Sequence, residues 1–220
     1  TAPTGSITIN NDSELYMAGG NATISTAAVT TTTNSSLSAD LGSLVFDSNV
    51  QTVNLSTIDL AGVGVTYFDG ADVTVTATTG IALGETLASG DLTLTGALTL
   101  LDSLTANDTL TIGEFDSGAR NAFTNAEITA GAIDIMASDI TGSTFTAGNT
   151  ARIDSIGNVR ESTVMANDAI LNVAGSVAGV EVTAFNGATL SANLVSATTV
   201  SAVKDANVTG TTQVVDSSIA

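Results

Sequence analysis

Six four-residue segments recur along the C-terminal half of this chain at nearly constant spacing, and no other feature limits the fold so strongly. They are Glu127-Ile128-Thr129-Ala130, Thr144-Phe145-Thr146-Ala147, Thr163-Val164-Met165-Ala166, Glu181-Val182-Thr183-Ala184, Thr199-Val200-Ser201-Ala202 and Ser217-Ser218-Ile219-Ala220. Their alanines stand 17, 19, 18, 18 and 18 residues apart. Most are followed by a Gly- or Asn-containing corner and a second short apolar run, as in Ala147-Gly148-Asn149-Thr150-Ala151-Arg152-Ile153. Upstream, Val73, Leu92 and Leu110 keep steps of 19 and 18, as do Val75, Leu94 and Ile112.

Within each run apolar and polar residues alternate, drawn from Val, Ile, Leu and Thr, the pattern of a strand with one buried face. Gly, Asn and Asp punctuate the runs and turn the chain at low steric cost. A unit of about 18 residues has no room for a helix with two strands, but it holds two or three strands of ~4–6 residues with tight corners. Stacked at ~4.8 Å, such units make an all-β parallel β-helix, or β-solenoid. The chain then predicts a single solenoid domain over 1–220, with roughly twelve coils. Residues 1–45 are less regular, and their run Thr30-Thr31-Thr32-Thr33-Asn34-Ser35-Ser36 reads as an irregular coil or corner. The register breaks between Ala106 and Ala130, where a loop insertion is expected at 113–121.

Composition agrees with a narrow interior. Aromatic residues are only 4% of the chain and Trp is absent, so the core is built from small side chains that cannot fill a wide space. Charged residues at 12% and abundant β-branched residues argue against disorder. Four bases (Arg120, Arg152, Arg160, Lys204) face 22 acids, for a net charge of −18. No basic patch is available to neutralise phosphates, so nucleic acid is excluded as a partner, and anionic lipid is disfavoured. The scattered acids read as a solubilising coat. The uncharged stretch Val182 to Val203 alternates in polarity and holds Asn186 and Asn193, so it does not read as a membrane helix. A start at Thr1 rather than Met is explained equally by removal of a secretion signal and by a boundary set within a longer chain. Six Asn-x-Ser/Thr sequons carry little information in a chain this rich in Ser and Thr.

Catalytic chemistry has little to work with. Without His or Cys, Ser-His-Asp and Cys-His mechanisms are closed, and so are zinc–thiolate sites. Carboxylate-based glycoside cleavage remains conceivable, since it needs only Asp or Glu pairs, but the chain is poor in the rings and bases that line sugar clefts. No residue is assigned a catalytic or cofactor-binding role. Asp72, Asp91 and Asp108 precede equivalent strands, so they are candidates to stack on one edge and hold Ca2+, against the simpler reading of Asp as a turn residue. Thr74, Thr93 and Thr111 form an expected outward ladder with Thr76 and Thr95 beside it. Such ladders can bind ice, although Thr is also favoured on exposed strands.

The segments Ser89-Gly90-Asp91-Leu92-Thr93-Leu94-Thr95-Gly96-Ala97-Leu98-Thr99-Leu100 and Phe145-Thr146-Ala147-Gly148-Asn149-Thr150-Ala151-Arg152-Ile153 resemble the short repeats of filamentous-haemagglutinin-type exoproteins, over roughly residues 50–220. Holdfast-anchoring surface proteins of stalked bacteria are a related likeness. The resemblance implies a right-handed β-helix, export to the cell surface and adhesion. The regular Gln and Asn ladders of curli-type subunits are absent, with only Gln51 and Gln213 in the chain. The function expected is a non-catalytic extracellular adhesin, anchor or filament subunit. The alternatives are a carbohydrate-binding or carbohydrate-cleaving β-helix and, behind it, an ice-binding one. The last segment stops mid-pattern, so either the chain is part of a longer one or copies stack end to end; other surface or matrix proteins and polysaccharide are the further partners expected.

Overall fold

The computed structural model describes residues 6–9, 13–31, 35–47, 50–114 and 120–220. The chain is all-β, a parallel sheet wound as a β-solenoid of about ten turns with successive turns ~19 residues apart. It divides into two compact units, residues 1–118 and 119–220. The expected loop at 113–121 falls at that division, and its residues 115–119 lie outside the described residues. So do Thr32, Thr33 and Asn34 of the threonine run.

In the C-terminal unit each turn contributes three short strands, and like strands pair in parallel register from turn to turn. One face carries the sequence repeat. Ile128 pairs with Phe145, Phe145 with Val164, Val164 with Val182 and Val182 with Val200. The second face stacks Ile135, Ile153, Leu171, Leu190 and Val208. A third, shorter face stacks Ile140, Val159, Val177, Val195 and Val214. These columns point inward and are almost fully buried up to Val195 and Val200, while Val208 and Val214 on the last turn are more open. Each enclosed Val, Ile or Leu contributes about 1.5–3 kcal/mol relative to an exposed one. The repeating alanines Ala130, Ala147, Ala166 and Ala184 are buried at the end of the first face, where a small side chain lets the chain turn without leaving a gap.

The N-terminal unit has the same three-faced construction with longer turns. Its inward columns include Val29, Val53, Val75, Leu94 and Ile112 on one face. Leu15, Leu37, Ile58 and Ile81 form the second, and Phe46, Phe68, Ala88 and Ala106 the third. Phe46 and Phe68 stack with ring centroids 4.8 Å apart, the separation of adjacent strands, so one ring follows the other up the column. Ser6 pairs with Ala28, and Ala28 with Thr52, steps of 22 and 24 residues. From Leu92 to Leu110 the step is 18.

The described strands within 1–45 pair turn to turn at a longer period. The extra residues sit in corners, as in 61–64 between strands Thr52–Leu60 and Val65–Phe68, where 174–175 suffice between Thr163–Val173 and Ser176–Ala178. About ten turns are present, close to the roughly twelve expected from an 18-residue period. The stretch Val182 to Val203 lies on strands Glu181–Ser196 and Thr199–Ala202. No helix among the described residues is long and apolar enough to cross a membrane.

Candidate functional site

Of the three aspartates singled out as calcium candidates, two come together. Asp72 and Asp91 are register partners on adjacent turns. Asp108 is not their third member. The turn from Leu92 to Leu110 takes 18 residues, whereas Asp91 and Asp108 are 17 apart, so Asp91 faces Thr109 instead. Its Oδ1 accepts the Thr109 backbone N–H at 2.6 Å. Asp91 therefore acts as a strand-edge acceptor, the turn role weighed against metal binding. Two adjacent carboxylates fall short of the six to eight oxygens calcium takes, and no group of three or more acids among the described residues is placed to hold a metal.

Many polar side chains bond along the solenoid rather than away from it. In the C-terminal unit Asp139 Oδ1 accepts from the Asn158 backbone N–H at 2.8 Å, and Asn158 Oδ1 accepts from the Ser176 N–H at 3.0 Å. The Asn172 amide donates to Asp154 at 2.7 Å, and the Asn186 amide to Asp168 at 2.7 Å. Arg152 pairs with Asp154 at 2.8 Å. In the N-terminal unit the Ser25 hydroxyl donates to Asp47 and the Ser38 hydroxyl to Glu14. These links were not foreseen. The signal was present in Asp and Asn standing 18 or 19 residues apart, as in Asp154 with Asn172.

A second device repeats at one corner of the C-terminal unit. Asn125, Gly142, Glu161, Gly179, Ala197 and Asp216 all adopt positive φ, between 46° and 64°. The residue that follows is Ala126, Ser143, Ser162, Val180, Thr198 or Ser217. Where it carries a hydroxyl, that hydroxyl donates to the carbonyl two residues back. The distances are 3.1 Å for Ser143, 2.6 Å for Ser162, 2.8 Å for Thr198 and 2.9 Å for Ser217. The same oxygens accept a backbone N–H from the adjacent turn, Ala126 to Ser143 and Ser143 to Ser162 at 3.1 Å each. The left-handed residue turns the chain, and the hydroxyl behind it satisfies backbone groups that the corner would otherwise strand.

Among the described residues, two grooves bring polar and apolar side chains together where a ligand could sit. In the N-terminal unit a groove of about 480 Å3 is lined by Val45, Tyr67 and Leu87, with Asp69, Ser89 and Asn107 along one edge. Val45, Tyr67 and Leu87 are an outward column on successive turns, and Tyr67 is 38% exposed. In the C-terminal unit a groove of about 350 Å3 includes Arg120, Asp154, Asn172 and Ser191. Its Arg120 donates to the Asp154 carbonyl at 3.3 Å, and the Asp154 carboxylate is already held by Arg152 and Asn172. The first groove thus presents an open ring beside polar groups, whereas the second is occupied by its own bonds. Comparison with family models, curated proteins and solved structures finds no match to this chain.

Proposed function

We propose that this chain is a non-catalytic structural β-solenoid serving attachment at an extracellular or cell surface, as an adhesin, anchor or filament subunit. The observation that carries this reading is the use of polar side chains. In the C-terminal unit many Asp, Asn and Ser side chains are engaged turn to turn or in their own corners, as in Asp139–Asn158–Ser176 and the Ser143–Ser162 corner. A catalytic surface needs such groups free and converging on one point. Here they hold a long repetitive surface in register, and the acidic excess keeps that surface solvated. The partners that fit are surface or matrix proteins, polysaccharide and further copies of the chain.

A second reading, binding or cleavage of carbohydrate, is favoured by the Tyr67 groove, whose lining joins a partly exposed ring with Asp69 and Asn107. One experiment separates the two. Purified chain is incubated with a panel of insoluble and soluble polysaccharides, and both retention and release of reducing sugar are measured. The attachment reading predicts no release from any of them. Sustained release, abolished by Asp69→Asn, would overturn it in favour of an enzyme. Retention without release, lost on Tyr67→Ala, would make the groove the attachment site.

A further inference from the structure

The three faces of the N-terminal unit are built from the same turns, so they serve as controls for one another. On the first face the outward residues form two columns in register. One runs Ala28, Thr52, Thr74, Thr93 and Thr111. The other runs Thr8, Thr30, Asn54, Thr76 and Thr95. The outward columns of the other faces are mixed: Tyr16, Ser38, Asp59, Ala82 and Thr99 on the second, and Thr23, Val45, Tyr67, Leu87 and Thr105 on the third. Strand propensity favours Thr on any exposed strand and would spread it over all three. Its concentration in two adjacent columns of one face needs another cause.

We propose that this face binds ice. Its chemistry narrows the choice of ligand. Eight of the ten positions are Thr and none is charged, in a protein of net charge −18, which suits a neutral partner. The charged pair Asp72 and Asp91 stands just outside the first column. Neither column contains an aromatic ring, the platform that a crystalline polysaccharide would use. These threonines are exposed or half-buried on the outward side of their strands, so they stand at the water-facing surface. The backbone fixes their spacing at ~4.8 Å along a column and at roughly 6.6–6.8 Å, two residues, between columns. Those two repeats approximate the oxygen spacings of hexagonal ice along its a and c axes. A Thr side chain adds a methyl group that sheds disordered water beside a hydroxyl that anchors an ordered one. A stiff sheet presents the whole array with little entropy left to lose on contact.

This inference is independent of the attachment reading, because it is tested on purified protein in water. Inhibition of ice recrystallisation and thermal hysteresis are measured for the full chain, for Thr74→Tyr/Thr93→Tyr in the middle of the array, and for Thr99→Tyr on the second face. Circular dichroism confirms that each variant keeps its β-spectrum, and Thr74→Ser/Thr93→Ser, which removes only the methyl groups, stands in if the tyrosines unfold it. The parent chain and Thr99→Tyr are expected to shape ice and inhibit recrystallisation, and the array variant to fall to the level of an equal concentration of albumin. A parent chain no better than albumin overturns the proposal, as does an array variant that retains full activity. Retention on crystalline cellulose or chitin without activity on ice would assign the face to polysaccharide and overturn it as well.

Discussion

At the scale of single residues, the core holds one position that works against stability. Thr66 is fully buried, on the inward side of the third face between Leu44 and Thr86. The Thr86 hydroxyl reaches the Gly84 carbonyl at 3.2 Å, but the Thr66 hydroxyl has no partner among the described residues. A buried hydroxyl left unpaired costs about 1–3 kcal/mol. Thr66→Val keeps the shape and removes the orphan group, so it is expected to stabilise the fold by ~1 kcal/mol, read as a higher urea midpoint at unchanged slope. Gly90 works the other way. A Cβ there would lie 2.1 Å from the Ala71 carbonyl oxygen of the turn below, closer than any side chain tolerates. Gly90→Ala is expected to cost about 1–3 kcal/mol by overpacking, seen as a lowered midpoint in the same titration. Neither position stands out in the sequence. A buried Thr looks like an exposed one until the register places it, and Gly90 looks like any turn glycine before Asp91.

At the scale of elements, the corner of the C-terminal unit shows how one job is done by dissimilar residues. Asn125, Gly142, Glu161, Gly179, Ala197 and Asp216 share a backbone conformation but no chemistry, which is why the corner was invisible to a reading of residue types. The strands were legible because they repeat by type: the buried Ile, Phe and Val of the first face stand in the spacing of Ile128, Phe145, Val164, Val182 and Val200. The N-terminal turns were legible as strands but not as a period, since corner insertions lengthen the step to 22 or more. That lengthening hid Thr52, Thr30 and Thr8 from a threonine ladder traced only as far as Thr74. Asp108 leaves the aspartate column for a related reason, as a one-residue mismatch moves a side chain off its column. The corner hydroxyls also yield a prediction. Ser162→Ala removes the bond to the Arg160 carbonyl and leaves the Ser143 N–H without its acceptor, and is expected to cost about 1–3 kcal/mol. Equilibrium unfolding checks the loss, and hydrogen exchange at the Ser143 amide locates it.

At the scale of the whole molecule, charge sets how the chain behaves in solution. A net charge of −18 on 220 residues repels itself, and salt relieves that repulsion as the screening length falls from roughly 30 Å at 0.01 M to roughly 3 Å at 1 M. The thermal midpoint is therefore expected to rise with sodium chloride over that range, and a flat or falling midpoint in a salt series would show that local pairs such as Arg152–Asp154 outweigh the long-range term. The role proposed for the repetitive surface is attachment, with no chemistry performed on it. Its most direct test is the adhesion of source cells whose coding sequence lacks residues 50–220, compared with the parent and with a strain in which the segment is restored. Attached cells are expected to fall severalfold on deletion and recover on restoration, with extracellular hydrolytic activity unchanged throughout. Unaltered attachment, or attachment lost only together with a hydrolytic activity, would contradict it.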